Sequence, residues 1–484
     1  LVPTLIISIV LGYFLLLLGI AFYTARAATN ESFFIGKRNS KWYLVAYGMI
    51  GTSLSGVTFM SVPGGVDKGH FTYMQVVIGY LLGYIVIAFV LLPLYYKLNL
   101  TSIYTYLQSR FGNVSYKTGA FFFLLSRTLG ASIRIFLVLN VLQIFMLDEW
   151  HVPFAITVSV ILLMILLYTI KGGVKTIVWT DTLQTTFMIL ALVITVFIIK
   201  NELGLSFATM QSMLIEKGYT QIFDTDWRSK GFFAKQILSG MFITITMTGL
   251  DQEMMQKNIS VKTLPESQKN MVVFSVIVFF VNLLFLLMGG LLYLYLADKR
   301  IPLPAHPDDV FPTIALRYLP PFAALVFVVG LVSALFPSAD GAITALTSSF
   351  CIDILGIKSR NDLSEAQKAN RRRIVHVGVS LVFALVIIFF KALNDGSVIN
   401  AILKIAGYTY GPLLGLFAYG VLTKQKVNDR LTPLVCVIAP ILSYLLDTYS
   451  TRIFFGYQMG FEVLLVNGFL TFAGLWLLGR KRND

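Results

Sequence analysis

The chain has 484 residues, 57% hydrophobic and 13% charged, with a mean hydropathy of +0.78. Soluble domains carry about 25% charged residues, so this composition excludes a soluble globular protein and fits a polytopic protein solvated by a lipid bilayer. The net charge of +14 does not call for nucleic acid, because excess Lys and Arg in a membrane protein mark the loops on one side.

Thirteen apolar runs are long enough to span, at about 20 residues each: 4–25, 42–66, 71–97, 118–147, 152–170, 176–199, 232–256, 271–297, 321–350, 373–392, 399–423, 431–449 and 461–479. The first lacks a basic leader and a small-residue cleavage site, so it is read as a helix and not as a signal peptide. The second contains Gly51-Thr52-Ser53-Leu54-Ser55-Gly56-Val57-Thr58-Phe59. Lipid-facing helix has no use for two glycines and four hydroxyl residues. Backbone that leaves the helix at membrane depth is tolerated only where it lines a cavity or is buried in protein, and broken helices form the substrate and ion sites of secondary transporters.

Charges inside spans are costly, about 2.5–3.5 kcal/mol on insertion scales, and are functional candidates by default. Along the chain they are Arg127 and Arg134, Asp181, Asp251, Asp340 and Lys404. Arg134 lies near the middle of its run and needs an anion, either a protein carboxylate or a substrate carboxylate held bidentately. Gly172-Gly173 is expected to end the fifth run just before Asp181. The run 232–256 gathers Thr244, Thr246, Thr248, Gly249 and Asp251, five spans after the Gly/Ser-rich one. Two interrupted helices in corresponding positions point to an inverted repeat with a site between its halves. Phe336-Pro337-Ser338-Ala339-Asp340-Gly341 predicts a third local opening, with hard oxygen ligands suited to an alkali cation. A salt bridge from Asp340 to Arg134 or Lys404 is the structural alternative, and a snorkelling side chain is the alternative for Lys404.

The connecting segments say less. Residues 200–231 are expected to hold a short interfacial helix, 302–307 are too rich in proline for a helix, and 357–373 form a polar surface helix or linker. Cys351 and Cys436 lie in apolar segments as small core residues, with no disulfide framework or metal-binding spacing. The four histidines are scattered, and neither a metal cluster nor a nucleophile motif suggests an enzyme. Alternate loops divide the basic residues: 24 lie on one side, among them Arg26, Lys37, Arg38, Lys257, Arg371, Arg372, Lys481 and Arg482, against 11 on the other. The amino terminus is therefore expected outside and the carboxyl terminus in the cytoplasm.

Four elements in order resemble the sodium/solute symporter family, which includes sodium-coupled galactose, proline and sialic acid transporters. They are Leu54 to Pro63, then Gly172-Gly173 through Trp179-Thr180-Asp181 to Gln184, then Asp251-Gln252 with Gln256-Lys257, where the family has arginine for lysine, and Gly407 to Gly415. The resemblance implies an all-α, LeuT-like fold of two inverted five-helix repeats. The division is then an extra helix at 1–26, repeats at 42–199 and 232–423, and terminal helices at 431–484, all one transmembrane domain. It implies a sodium site between the second and ninth runs at Gly51, Leu54, Ala334, Pro337 and Ser338. Pro337 stands where the family has a serine and supplies no hydroxyl. A second cation site is implied at Asp181, whose partner positions here read Asp340 and Gly341. By the same resemblance Arg134 holds a substrate carboxylate, with Ser53, Ser55 and Thr58 beside it, Gln75 at the start of the third run and Thr244 in the seventh.

These readings combine into sodium-coupled symport of a small polar solute, a carboxylate such as sialic acid, another sugar acid or an amino acid, or else a sugar. The expected location is the plasma membrane, a bacterial inner membrane, with Na+ and the solute as partners and no obligate protein partner. Proton coupling through Asp340 in the same fold, or a sensor or channel built on it, are the alternatives.

Overall fold

A computed structural model describes residues 3–24, 40–392 and 398–480. The basic residues Arg26, Lys37, Arg38, Lys481 and Arg482 counted above lie outside the described residues. Its principal helices are α1 (Pro3–Thr24), α2a (Trp42–Ser53) and α2b (Gly56–Gly64), α3 (Tyr73–Lys97), α4 (Asn113–Leu142), and α5 (Phe154–Glu202). They continue with α6a (Phe233–Thr244) and α6b (Gln252–Ile259), α7 (Leu264–Asp298), α8 (Pro321–Ser349), α9 (Glu365–Lys391), α10a (Val398–Thr409) and α10b (Gly411–Leu422), α11 (Thr432–Ile453) and α12 (Val463–Leu477).

Eight helices among the described residues are long and apolar enough to cross a membrane, ten if each sharply bent pair is one span. The short apolar helices Phe154–Ile170 and Val463–Leu477, and α6 with its interruption, fall on the other three apolar runs of the sequence. Backbone hydrogen bonds made within a helix are what let these segments sit in hydrocarbon. The polar connections behave as their composition suggests. Phe207–Glu216 is a short helix in the 200–231 loop, residues 302–306 are irregular, and Ser364 opens α9 with a capping box to Gln367.

Burial sorts the helices into layers. The most apolar window of α8 is 83% buried, whereas those of α9 and α11 are 22% buried. The α8 helix is thus the axis of the bundle, packed by α5, α4 and both halves of α2, and α9 and α11 form its rim. Small side chains make the inner contacts close. A Cβ on Gly330 of α8 would press on Phe59 and on Ala191 of α5.

Two expected openings do not occur. Helical backbone runs through Gly172-Gly173 within α5, and through Pro337 and Gly341 within α8. Glycine costs a helix only about 1 kcal/mol relative to alanine. Proline removes one ladder bond, but inside a bundle the surrounding helices re-satisfy the freed groups. Here α8 is enclosed around Pro337, with every residue from 330 to 349 buried, and the Ser333 side chain, one turn before Pro337, donates to the Tyr13 hydroxyl of α1 at 2.9 Å.

Candidate functional site

Among the described residues three helices break inside the bundle, and their breaks meet. The two halves of α2 are bent by 56°. Leu54 and Ser55 leave the helix with φ/ψ of −91°/93° and −90°/−179°. Glycines let neighbouring helices close on this break. A Cβ on Gly56 would collide with Val138 of α4, and one on Gly51 would meet Thr185 Oγ1 of α5 at 2.5 Å. In α6 a π-helical turn, Ile245–Gly249, leads to an extended residue at Asp251, φ −101° and ψ 124°. The freed carbonyls are capped from outside: Tyr95 donates to Gly249 O and Tyr104 to Leu250 O, each at 2.8 Å. Asp251 caps α6b by accepting from the Glu253 and Met254 amides at 2.9 and 3.3 Å. The halves of α10 are bent by 47° about Tyr410, whose hydroxyl donates to Asp251 Oδ2 at 3.3 Å.

A buried ionic cluster lies on the α2a–α6b side of the breaks. Arg127 of α4 pairs with Glu253 and has Nε 3.6 Å from Asp251 Oδ2. Lys257 Nζ is 2.7 Å from Asp181 Oδ2 and 3.4 Å from Glu253 Oε1, and donates to Thr52 Oγ1 at 2.6 Å. Thr52 donates to the same Asp181 oxygen at 3.1 Å. All these side chains are at most 4% exposed, so each charge depends on its partner.

A cavity adjoins the breaks, and Thr52 and Arg127 of the ionic cluster lie along its wall. Hydroxyls of Ser53, Ser55, Thr58, Thr244 and Thr248, with Tyr73, Tyr80 and Asn282, line it together with Arg127 and Arg134. Arg134 makes no hydrogen bond or ion pair among the described residues. A second cavity shares the walls Tyr73, Ile399 and Leu403 and lies toward Lys230 and Lys404.

Five of the six substrate candidates, Ser53, Ser55, Thr58, Arg134 and Thr244, are thus brought together. Gln75 is not among them. It lines the second cavity, donates to Thr72 O and Gly231 O at 3.0 and 3.2 Å, and accepts from the Asp224 amide. Lys404 lies 3.4 Å from Asp447, its side chain 62% exposed. Asp340 bonds neither Arg134 nor Lys404. It accepts from the Tyr168 hydroxyl at 2.7 Å and from the Gly341 amide at 2.6 Å.

For sodium, the relevant atoms are hard oxygens where α2a meets α5 and α8. A helix leaves its last carbonyls without helical partners, and beyond Ile50, which accepts from Leu54, those of Gly51 to Leu54 accept no backbone bond among the described residues. Thr185 Oγ1, beside Gly51, is buried without a partner. Ser338 makes only a long 3.4 Å bond to Ala334 O. These oxygens are of the hard type that an alkali cation takes, whereas Ala334 and Pro337 lie within unbroken helix, so no opening of α8 releases their carbonyls. Asp181 and Asp340 are both fully buried nearby in chain topology, on α5 and α8, but each is engaged by protein groups.

Sequence reasoning missed Lys257, Glu253, Thr52 and Thr185. Lys257 follows the end of an apolar run and was counted with the loop cations. The available signal was its spacing of four from Glu253, which places both on one helical face.

A family model described as sodium:solute symporter family matches residues 33–430. The chain is 22% identical to the sodium/sialic acid symporter SiaT of Proteus mirabilis (strain HI4320), over 96% of this chain and 94% of that protein. It is 26% identical to the sodium-coupled monocarboxylate transporter 1 of Xenopus laevis, over 86% of this chain and 66% of that one. A solved structure of a Na+-coupled sialic acid symporter, substrate-bound and outward-open, superposes with a TM-score of 0.82 at 20% identity, covering 98% of this chain and 97% of the other. At that identity the likeness establishes the fold. The chain therefore belongs to the sodium:solute symporter family, a LeuT-like membrane transporter of the sodium-coupled symport class and not an enzyme.

Proposed function

We propose that the protein couples sodium entry to uptake of a small carboxylate-bearing solute, a sialic acid or a related sugar acid, across a plasma membrane. One observation carries this reading: an unpaired guanidinium, Arg134, faces a hydroxyl-lined cavity at the α2 break. A guanidinium fork matches a carboxylate bidentately, and the hydroxyls of Ser53, Ser55, Thr58 and Thr244 suit a polyol body. The sialic acid and monocarboxylate specificities named for two relatives support an anion. Sodium would be held by the carbonyls of Gly51, Leu54, Ala334 and Pro337 with the Ser338 hydroxyl, and Thr185 is an added candidate. Ordering α2a against α8, it would favour the state that receives the solute. Coupling requires such a differential, since a ligand bound equally by all states shifts nothing. The two five-helix units, 42–199 and 232–423, would move about the breaks, with the amino terminus outside.

The test is uptake into proteoliposomes of sialic acid, other sugar acids, amino acids and neutral sugars, with sodium replaced by choline at fixed pH. Sodium-dependent uptake of a carboxylate, abolished by Arg134→Ala, is the expected result. Full uptake by that variant would make Arg134 structural. Uptake that persists in choline and follows the pH gradient would transfer coupling to protons, for which the buried Asp340–Tyr168 pair is the candidate.

A further inference from the structure

Asn282 is a polar group that the symport reading leaves without a task. It stands at the middle of α7, the Leu264–Asp298 span, where an amide is out of place unless a partner or a cavity receives it. Its Nδ2 donates to Val278 O, one turn earlier, at 2.8 Å. Its Oδ1 makes no hydrogen bond among the described residues, and the side chain, otherwise buried, lines the cavity at the α2 break.

The bond to Val278 fixes which end of the amide the cavity meets. Turned over, the amide would set its oxygen 2.8 Å from a carbonyl oxygen, two acceptors with no hydrogen between them. The cavity therefore receives Oδ1, whose lone pairs only accept. No Asp, Glu or Gln is among the described residues that line the cavity, so Oδ1 is its one side-chain carbonyl oxygen. The other polar groups differ. The serine, threonine and tyrosine hydroxyls turn to donate or accept as the solute requires, and Arg134 only donates. The lining thus makes two fixed demands, one from α4 and one from α7: an acceptor opposite Arg134 and a donor opposite Asn282. A carboxylate on a bare alkyl chain would meet the first and strip water from the Asn282 oxygen without replacing it. Sites built around a hydrogen bond convert that loss into selectivity.

We propose that Asn282 binds the solute through Oδ1 and admits only carboxylates that carry a hydroxyl or N–H donor, so that alkyl carboxylates are rejected. This deepens the reading of Arg134 as the carboxylate partner and rests on it. It names a binding group on α7, a helix that the reading above does not use.

The test is uptake into proteoliposomes of the full chain in a sodium gradient. The donor-bearing probes are N-acetylneuraminate, gluconate, lactate and alanine; hexanoate and propionate carry the carboxylate alone. Wild type is expected to take up at least one donor-bearing probe with kcat/KM about a hundredfold or more above both alkyl carboxylates, a conservative figure beside the roughly 10⁴-fold that a site built on one hydrogen bond reaches. Asn282→Leu keeps a branched side chain without the polar atoms and should collapse that ratio to about tenfold or less, the range of apolar selection. Asn282→Thr keeps an acceptor, because a helical threonine spends its proton on the carbonyl four residues back, as Thr246 does on Phe242 O at 2.9 Å. Collapse in Asn282→Leu but not in Asn282→Thr is the expected result; collapse in both, or in neither, overturns the proposal. So does a wild type that carries hexanoate or propionate as readily as the other probes, or that carries none of the six. Should Asn282→Leu not fold, wild type and Asn282→Thr decide: the ratio kept in both supports the acceptor, and its loss in either overturns it. A uniform fall in uptake at constant ratio would mark Asn282 as structural. The Arg134 reading fails separately: Arg134→Ala would then take up the same probes in full, whatever the Asn282 variants do.

Discussion

Glu253 is the hub whose loss should be felt most. It takes charge from Arg127 on α4 and from Lys257 on its own helix, and its side chain is 3% exposed. Glu253→Gln preserves shape but removes the negative charge. Arg127 then retains only Asp251 at 3.6 Å, and Lys257 only Asp181 at 2.7 Å and the Thr52 hydroxyl at 2.6 Å. At 3.4 Å and an effective dielectric of 20, one unit pair is worth about 5 kcal/mol before desolvation. Breaking a buried pair typically costs about 3–5 kcal/mol, much of it from the stranded partner. Because the amide still accepts a hydrogen bond, the lower end, about 3 kcal/mol, is expected. The assay is thermal unfolding in detergent, with Glu266→Gln on the exposed first turn of α7 as control; surface changes of that kind stay within about 0.5 kcal/mol. Adding Arg127→Met to Glu253→Gln removes one stranded cation and should recover part of the loss. If Glu253→Gln melts with wild type and the control, the cluster does not hold the breaks together and the reasoning fails.

Gly56→Ala forces a Cβ into Val138 and should cut transport at least tenfold; Val138→Ala added to it should restore much of the loss in the same uptake assay. Asp308, in the loop before α8, is buried, and burial raises its pKa above the usual carboxylate value. The folded protein then holds the proton more tightly than the unfolded chain, so its contribution to stability is present at low pH and is lost as pH rises from the ordinary carboxylate range through the raised value. Asp308→Asn, which can still accept from the Val398 amide now 3.1 Å from Oδ2, should flatten that fall when melting is followed against pH beside wild type. An unchanged difference curve would show that the loop carboxylate ionises freely.

The spans and the first break were legible because both follow from composition. Apolar length identifies a helix in lipid, and Gly51, Ser53, Ser55 and Gly56 have no role on a lipid-facing surface. Arg134 was legible for the same reason, as a charge too deep to reach water. The ionic cluster was not. Lys257 stands just beyond an apolar run and Glu253 in its last turn, where charges normally face solvent. Only the bend at Leu250-Asp251 turns α6b back into the bundle and buries them. Pro337 and Gly341 misled in the opposite direction, because whether proline opens a helix depends on what encloses it, and α8 is buried on both sides of Pro337. Gln75 was placed by position in its run, but its amide is consumed by the backbone of the 224–231 segment.

The arrangement of the breaks bears on how ion and solute could act on one another. Asp251 belongs to the α6 break, accepts from Tyr410 at the α10 break, and lies against Arg127, which itself lines the solute cavity. Arg127 reaches Glu253, Glu253 reaches Lys257, and Lys257 reaches Thr52, two residues from the Leu54 carbonyl at the α2 break. All three interruptions are therefore joined by one chain of buried charges. Such a network has two strong states, fully paired or opened to water, and intermediate arrangements leave a charge stranded at a cost of several kcal/mol. Movement of one break alone would strand a partner, so the breaks are expected to move together. A solute entering the cavity that Arg127 lines and a cation arriving near Thr52 would then bias the same equilibrium from opposite ends of the network, without touching each other.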